Sequence, residues 1–398
     1  MQPIKFLSLA LAVTAFAATH ANAASHREVV VDHAETRKIC QLTGETDRST
    51  GQPTINATET AARFWGTDLG TSFEHDGKTV FLFGDTHAAG GLERKRDRDI
   101  VATSTTANPD DCLKLDFITD ADGGYRPLTV AGVSGGEFSV PTGGFSAGGQ
   151  MYAVVTTDRT AEMVMGRSVL ARSDNGGRDF TPLYDFSTKH FINVAFAKGS
   201  EPTLFAFGSG NYRQSDVRLA VMDEANPGDR SAIRYFAGTD ARGEPTWSAD
   251  EAEAAPMLDQ SCVGELSVAW NGDLGKWVMM YNCGATKSQI LVRTADKAWG
   301  PWSAPQVVFD ADKDGGMCTF MHDPEGKCGD KLTDPHSPQT AGDPYAPYMI
   351  ARFAKGVPGE QADIYFLMST WNPYNVVLMK ARLKLDEPVR EASMGGNA

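Results

Sequence analysis

Two aspartates and one glutamate stand where this chain could do chemistry. Asp68 lies in WGTDLGTSF, Asp85 ends the apolar run in FLFGDT, and Glu265 opens the alternating stretch GELSVAWN. A carboxylate directly behind Phe81, Leu82 and Phe83 costs several kcal/mol to desolvate unless it is paired, hydrogen-bonded or facing water. Gly84 permits a bend or a close approach there, and Thr86 can bond locally to fix the acid's rotamer. Three such acids carry the inventory of glycoside hydrolysis: a protonated carboxyl for the leaving group, and a carboxylate that attacks or activates water. Plainer roles exist for each. Asp85 can cap the turn out of its strand, Asp68 can be a solvated turn acid, and Glu265 can be an edge charge at a strand start.

The neighbours have the chemistry of a sugar site. Trp371, Tyr374 and Asn375 in STWNPYNVVLM, with His87 just after FGDT, are the expected substrate contacts. Aromatic faces stack on the C–H faces of sugars, and amides bridge hydroxyls. Trp65 and Trp270 also lie near the acids in sequence, but a strand aromatic is more often core. His87, His322 and His336 are scattered and read as loop histidines without a metal. DADKDG at 310 to 315 has the start of a calcium loop, yet its twelfth position is Met321 rather than a bidentate Glu. A surface acidic loop is expected there, with structural calcium as the alternative and no obligatory cofactor. ERKRDRD at 93 to 99 mixes both signs and reads as a solvated loop within reach of a substrate. There is no Ser-His-Asp order, Walker loop or dinucleotide fingerprint, and GGFSAGG lacks the nucleophile-elbow spacing.

These residues need a frame, and the chain supplies one by repetition. An apolar strand, a Gly-, Asn- or Asp-bearing turn, a second strand and a third alternating strand recur five times. The units begin at TDLGTSFEHDGKTVFLFGDT, FSVPTGGFSAGGQMYAVVTT, FINVAFAKGSEPTLFAFGSG, GELSVAWNGDLGKWVMMYNCG and YAPYMIARFAKGVPGEQADIYFLMST. Outside the first residues no amphipathic stretch of helical period appears, so the fold class is all-β, and radial repetition narrows it to a five-bladed β-propeller. Antiparallel pairing brings Asp68 and Asp85 to one end of the first hairpin. Glu265, in the matching place of the fourth unit, should then face them across the channel. SDNGGRDF at 173 to 180 resembles the Asp-box turn lock of sialidase-like propellers, with Asn175 and Phe180 at the Asp and Trp positions. It speaks for fold and not for activity.

Lys5, the apolar run from Phe6 to Ala18 and ANA at 21 to 23 form a secretory signal peptide over residues 1–23. The expected order is then a segment 24–59 leading into the propeller, the propeller itself over 60–385, and a tail over 386–398. Export to a secreted or periplasmic location, with no membrane anchor, follows. Six cysteines, an even number in an exported chain, predict disulfides. Cys262 and Cys283 flank a hairpin, Cys318 and Cys328 close a short loop, and Cys40 is left to reach Cys112. The formal net charge of −14 repels phosphate backbones, so nucleic acid is excluded as a partner and a polysaccharide is expected, met by a monomer.

With these stretches in view, the chain resembles the family called domain of unknown function 4185, part of which is classed as glycoside hydrolase family 183. FGDT and W-x-x-YNV carry the resemblance most specifically, and it runs from about residue 60 to 383. It implies a five-bladed propeller and endo-acting D-arabinofuranosidase activity on the D-arabinan of mycobacterial arabinogalactan and lipoarabinomannan. It also implies catalytic acids in the first unit, which fall on Asp68 and Asp85; Glu265 is added by analogy with the three-acid sites of other five-bladed glycosidases. A non-catalytic carbohydrate-binding propeller is the alternative. A sialidase is disfavoured, because no arginine triad or Tyr nucleophile can be assigned.

Overall fold

The computed structural model describes residues 27–89, 98–199, 202–325, 332 and 340–386. The signal segment, the tail beyond 386, His336, Cys328 and most of ERKRDRD lie outside these. Five antiparallel sheets form the blades of a β-propeller. Their innermost strands are Phe64–His75, Pro141–Ala147, Asn193–Lys198, Val263–Asn271 and Pro344–Met349. Each packs against the next and the fifth returns to the first, so the inner strands enclose a central channel.

The apolar run before Asp85 shows how the blades adhere. Lys78–Ala88 is the second strand of blade one, sandwiched between blades five and two, so both of its faces are buried and it loses alternation. Phe81 and Phe83 pack with Tyr365, Leu367 and Leu378 of blade five. Val80 and Leu82 point the other way, onto Ala153 and Val155 of blade two. Blades four and five are joined in the same manner by Val278, Met280, Phe366 and Met368.

Each of the five repeat units becomes the first three long strands of one blade. Outer strands complete them, and these carry weaker signals because they are short or exposed. Blade five takes its outer strand from the far end of the chain: Val29–Gln41 pairs antiparallel with Asn375–Leu385. The segment expected to lead into the propeller therefore closes its ring. Cys40 on this strand is bonded to Cys112, 72 residues away in blade one, and Cys262 is bonded to Cys283. Cys318 is disulfide-bonded as well. Because the Cys40–Cys112 link ties the closing strand to the neighbouring blade, the Cys40→Ser/Cys112→Ser variant is expected to lose about 2–4 kcal/mol of stability. The midpoint of urea unfolding measures this, and an unchanged midpoint would show that closure does not depend on the link.

At 173 to 180 the turn lock forms without its usual acid. Asn175 Oδ1 accepts from Asp179 N at 3.1 Å and from Ser173 Oγ at 2.9 Å, while Phe180 is buried between blades one and two. In the acidic stretch 310 to 315, the Asp310 carboxylate accepts from Gln289 Nε2 at 2.9 Å and pairs with Lys313 at 3.0 Å.

Candidate active site

One mouth of the channel opens into a cavity of about 680 Å³ lined from all five blades. Asp68, Asp85, Glu265, Trp371 and Tyr374 all line it.

Blade one delivers its acids through irregular backbone. Asp68 pairs with Gly84 in the inner hairpin, and the register slips on both sides of it. Leu69 lies at φ 62° and Asp85 at φ 37°, left-handed values that a non-glycine residue holds only at a cost of order 1–3 kcal/mol. Such bulges re-aim a side chain out of the ladder. Gly84 is what lets the two acids lie this close. A Cβ there would stand 2.7 Å from Leu69 Cδ1, 2.8 Å from Val140 Cγ1 and 3.0 Å from Asp68 Oδ1.

Asp68 is buried. Its Oδ2 accepts from Tyr345 Oη at 2.9 Å and Tyr374 also bonds the carboxyl, while Oδ1 finds no partner. Burial pushes its pKa up to about 6, against the pull of the two tyrosines. Asp85 Oδ2 accepts from Phe138 N at 3.3 Å, and its own N–H donates to Asp99 Oδ1 at 3.2 Å. Burial, reinforced by the charge of Asp68, pushes Asp85 up to about 8. Asp99 behind it is buried at 5 % exposure and also raised, by burial and by Asp85. The mixed-charge stretch 93 to 99, read as a solvated loop, thus ends in a buried acid supporting the site.

Glu265 has the opposite environment. Arg213 clamps it with a fork, Nε to Oε2 at 3.2 Å and Nη2 to Oε1 at 3.1 Å, and Asn282 Nδ2 donates to Oε2 at 2.8 Å. Burial opposes its charged form, but Arg213 and Asn282 outweigh that and hold the carboxyl below its ordinary range. The Arg213 guanidinium in turn lies 5.0 Å from the centroid of the Tyr345 ring. The three expected acids of the cavity are therefore split: a charged glutamate on blade four, and two aspartates on blade one that resist ionisation.

Trp371, 44 % exposed, stands at the rim with its ring edge-on to buried Tyr374 at 5.8 Å. Two expected contacts are placed elsewhere. Asn375 is buried in blade five, where its Oδ1 accepts from Gln41 Nε2 at 3.2 Å, so it fastens the closing strand instead of lining the cavity. His87 is stacked on Trp65 at 4.9 Å behind Tyr374 and is not among the lining residues. Trp270 lies against Trp277 on the hairpin turn, at the far end of its strand from Glu265.

Arg213, Asn282, Tyr345 and Asp99 escaped the reading of the sequence. No shared repeat position marked them: Asn282 lies inside the second strand of its unit, Lys276–Cys283, whereas Arg213 lies in the loop beyond the second strand of its own, Thr203–Ser209.

Among solved structures the chain is similar to a protein from Bacteroides ovatus ATCC 8483, at 13 % identity over 81 % of this chain and 87 % of that one, with a TM-score of 0.52. More distant are an arabinanase from Bacillus subtilis, at 12 % identity over 80 % and 96 % with a TM-score of 0.40, and an α-L-arabinofuranosidase from Podospora anserina. The last is 11 % identical over 88 % and 98 %, with a TM-score of 0.41. The likeness to the first is one of fold. Comparison with curated proteins finds no match. A family model matches residues 54–380, and the chain belongs to that family, the domain of unknown function DUF4185.

Proposed function

We propose that the protein is a glycoside hydrolase acting on a furanosidic polysaccharide. The observation that carries this is the gathering of Asp68, Asp85 and Glu265 in one cavity with their carboxyls split, two held toward the neutral form and one held charged. Asp85, the acid with the higher pKa, retains its proton at neutral pH and gives it to the departing glycosidic oxygen. Asp68, steadied by Tyr345 and Tyr374, is the base that activates water or attacks the anomeric carbon. Glu265 has both oxygens engaged, so it acts as a fixed negative charge opposite the acids, favouring the positive charge that develops on the sugar ring. Trp371 offers a stacking face at the rim for a polymer that extends beyond the cavity.

The finer substrate, D-arabinan cleaved internally, rests on the family resemblance. Disulfides, Cys40–Cys112 and Cys262–Cys283 among them, suit an oxidising compartment, and no helix among the described residues is long and apolar enough to cross a membrane. Product analysis after incubation with mycobacterial arabinogalactan and, separately, with L-arabinan tests the reading. Oligosaccharides from the first alone support it; binding without products from either favours a carbohydrate-binding module instead.

The assignment of roles fixes a pH profile. Activity needs Asp68 ionised and Asp85 protonated. kcat/KM is therefore expected to rise with pH through about 6 as Asp68 loses its proton, and to fall through about 8 as Asp85 loses its own. A profile flat across this range would remove the pair from proton transfer.

A further inference from the structure

Six buried side-chain polar atoms among the described residues find no hydrogen-bond partner, and three of them belong to two residues lining the same cavity. One is Asp68 Oδ1. The other two are both ends of a single amide, Nδ2 and Oδ1 of Asn193, which is 2 % exposed at the start of the inner strand of blade three. A buried donor or acceptor left unmet loses its hydration without replacement, so a wholly orphaned amide is destabilising unless something binds it. The protein offers it nothing. Thr142 accepts from Val194 N, cross-strand Ser209 donates to Gly264 O, and Tyr212 Oη is bonded to Thr156 Oγ1. Those hydroxyls are committed, and Asn193 itself lines the cavity shared with Asp68, Asp85 and Glu265.

We propose that Asn193 is a substrate-binding residue that reads two adjacent hydroxyls of the sugar ring held beside Asp68 and Asp85, donating from Nδ2 to one and accepting at Oδ1 from the other. An amide presents one donor and one acceptor side by side, and a vicinal diol is the sugar feature that meets both at once. This deepens the glycosidase reading and rests on it: the acids choose the bond, and Asn193 chooses the ring. A ring lacking either hydroxyl leaves half of the amide unmet, which makes the residue a determinant of specificity and not only of affinity.

The test compares a defined arabinofuranosyl oligosaccharide with its 2-deoxy and 3-deoxy counterparts, on the wild type and on Asn193→Ala, with thermal melts to show that the variant is folded. In the wild type, loss of a recognised hydroxyl is expected to lower kcat/KM about 10- to 100-fold, the factor that one unmet buried hydrogen-bonding group carries. In Asn193→Ala the parent falls by a similar factor, and the parent and deoxy sugars become alike. If the wild type treats all three sugars equally, or if the contrast survives intact in Asn193→Ala, the assignment is overturned while hydrolysis stands. Where the variant does not fold, equal treatment of the three sugars by the wild type still overturns the assignment. Should the wild type release no product, the glycosidase reading falls, and the same contrast is read in calorimetric affinity. A deoxy penalty that vanishes in Asn193→Ala then supports the assignment; absence of binding or of a penalty overturns it.

Discussion

On the proposed role of Asp85, Asp85→Asn is expected to lower kcat on the polysaccharide substrate by about 10²- to 10⁴-fold while leaving the fold intact, the range attached to loss of a positioned general acid. The substitution is nearly isosteric, and an amide oxygen can still accept from Phe138 N where Asp85 Oδ2 does now. It also removes a carboxyl that burial and Asp68 already hold toward its neutral form. The melting temperature should stay level or rise, because a buried group that resists ionisation is exchanged for one that cannot ionise. The alkaline limb of the pH profile should vanish from the residual activity. Asp68→Asn is expected to fall as far in rate, and its loss should instead remove the acid limb. A folded Asp85→Asn enzyme working at the wild-type rate would move the chemistry to other groups.

The second large effect is on stability. Arg213→Met leaves Glu265 with Asn282 as its remaining side-chain partner in a buried wall of the channel. Removing one partner of such a pair costs about 3–5 kcal/mol, since the other charge stays buried and unmet. The Arg213 side chain is 25 % exposed, so water can partly replace it and the lower end, roughly 3 kcal/mol, is expected. Adding Glu265→Gln should restore much of the loss, because the amide needs no counter-charge. Urea unfolding of the two single variants and the double variant measures the coupling. Full additivity would show that the fork contributes little beyond its separate halves.

How far the sequence could be read follows from what each feature depends on. Repetition of paired strands is local, and Lys78–Ala88 announced burial on both faces through the unbroken run Val80 to Phe83. The meeting of Asp68 with Asp85 was likewise legible, because a hairpin fixes which ends of its strands coincide. Asn375 misled for an instructive reason. It adjoins Tyr374 in sequence, but Tyr374 belongs to the turn and lines the cavity, whereas Asn375 opens the strand Asn375–Leu385 and bonds to Gln41 on the closing strand.

By itself, then, the sequence determined the all-β class, the five-fold repetition and the meeting of Asp68 with Asp85 at one end of the first hairpin, all of which rest on period, turn chemistry and short-range pairing. Only the tertiary structure decided that residues 29 to 41 close the ring, that Arg213 holds Glu265 charged, and that Asn193 is stranded in the cavity wall. Each of those depends on groups brought together from different blades, and a carboxyl's protonation or an amide's lack of a partner is set by burial and neighbours that no local pattern encodes.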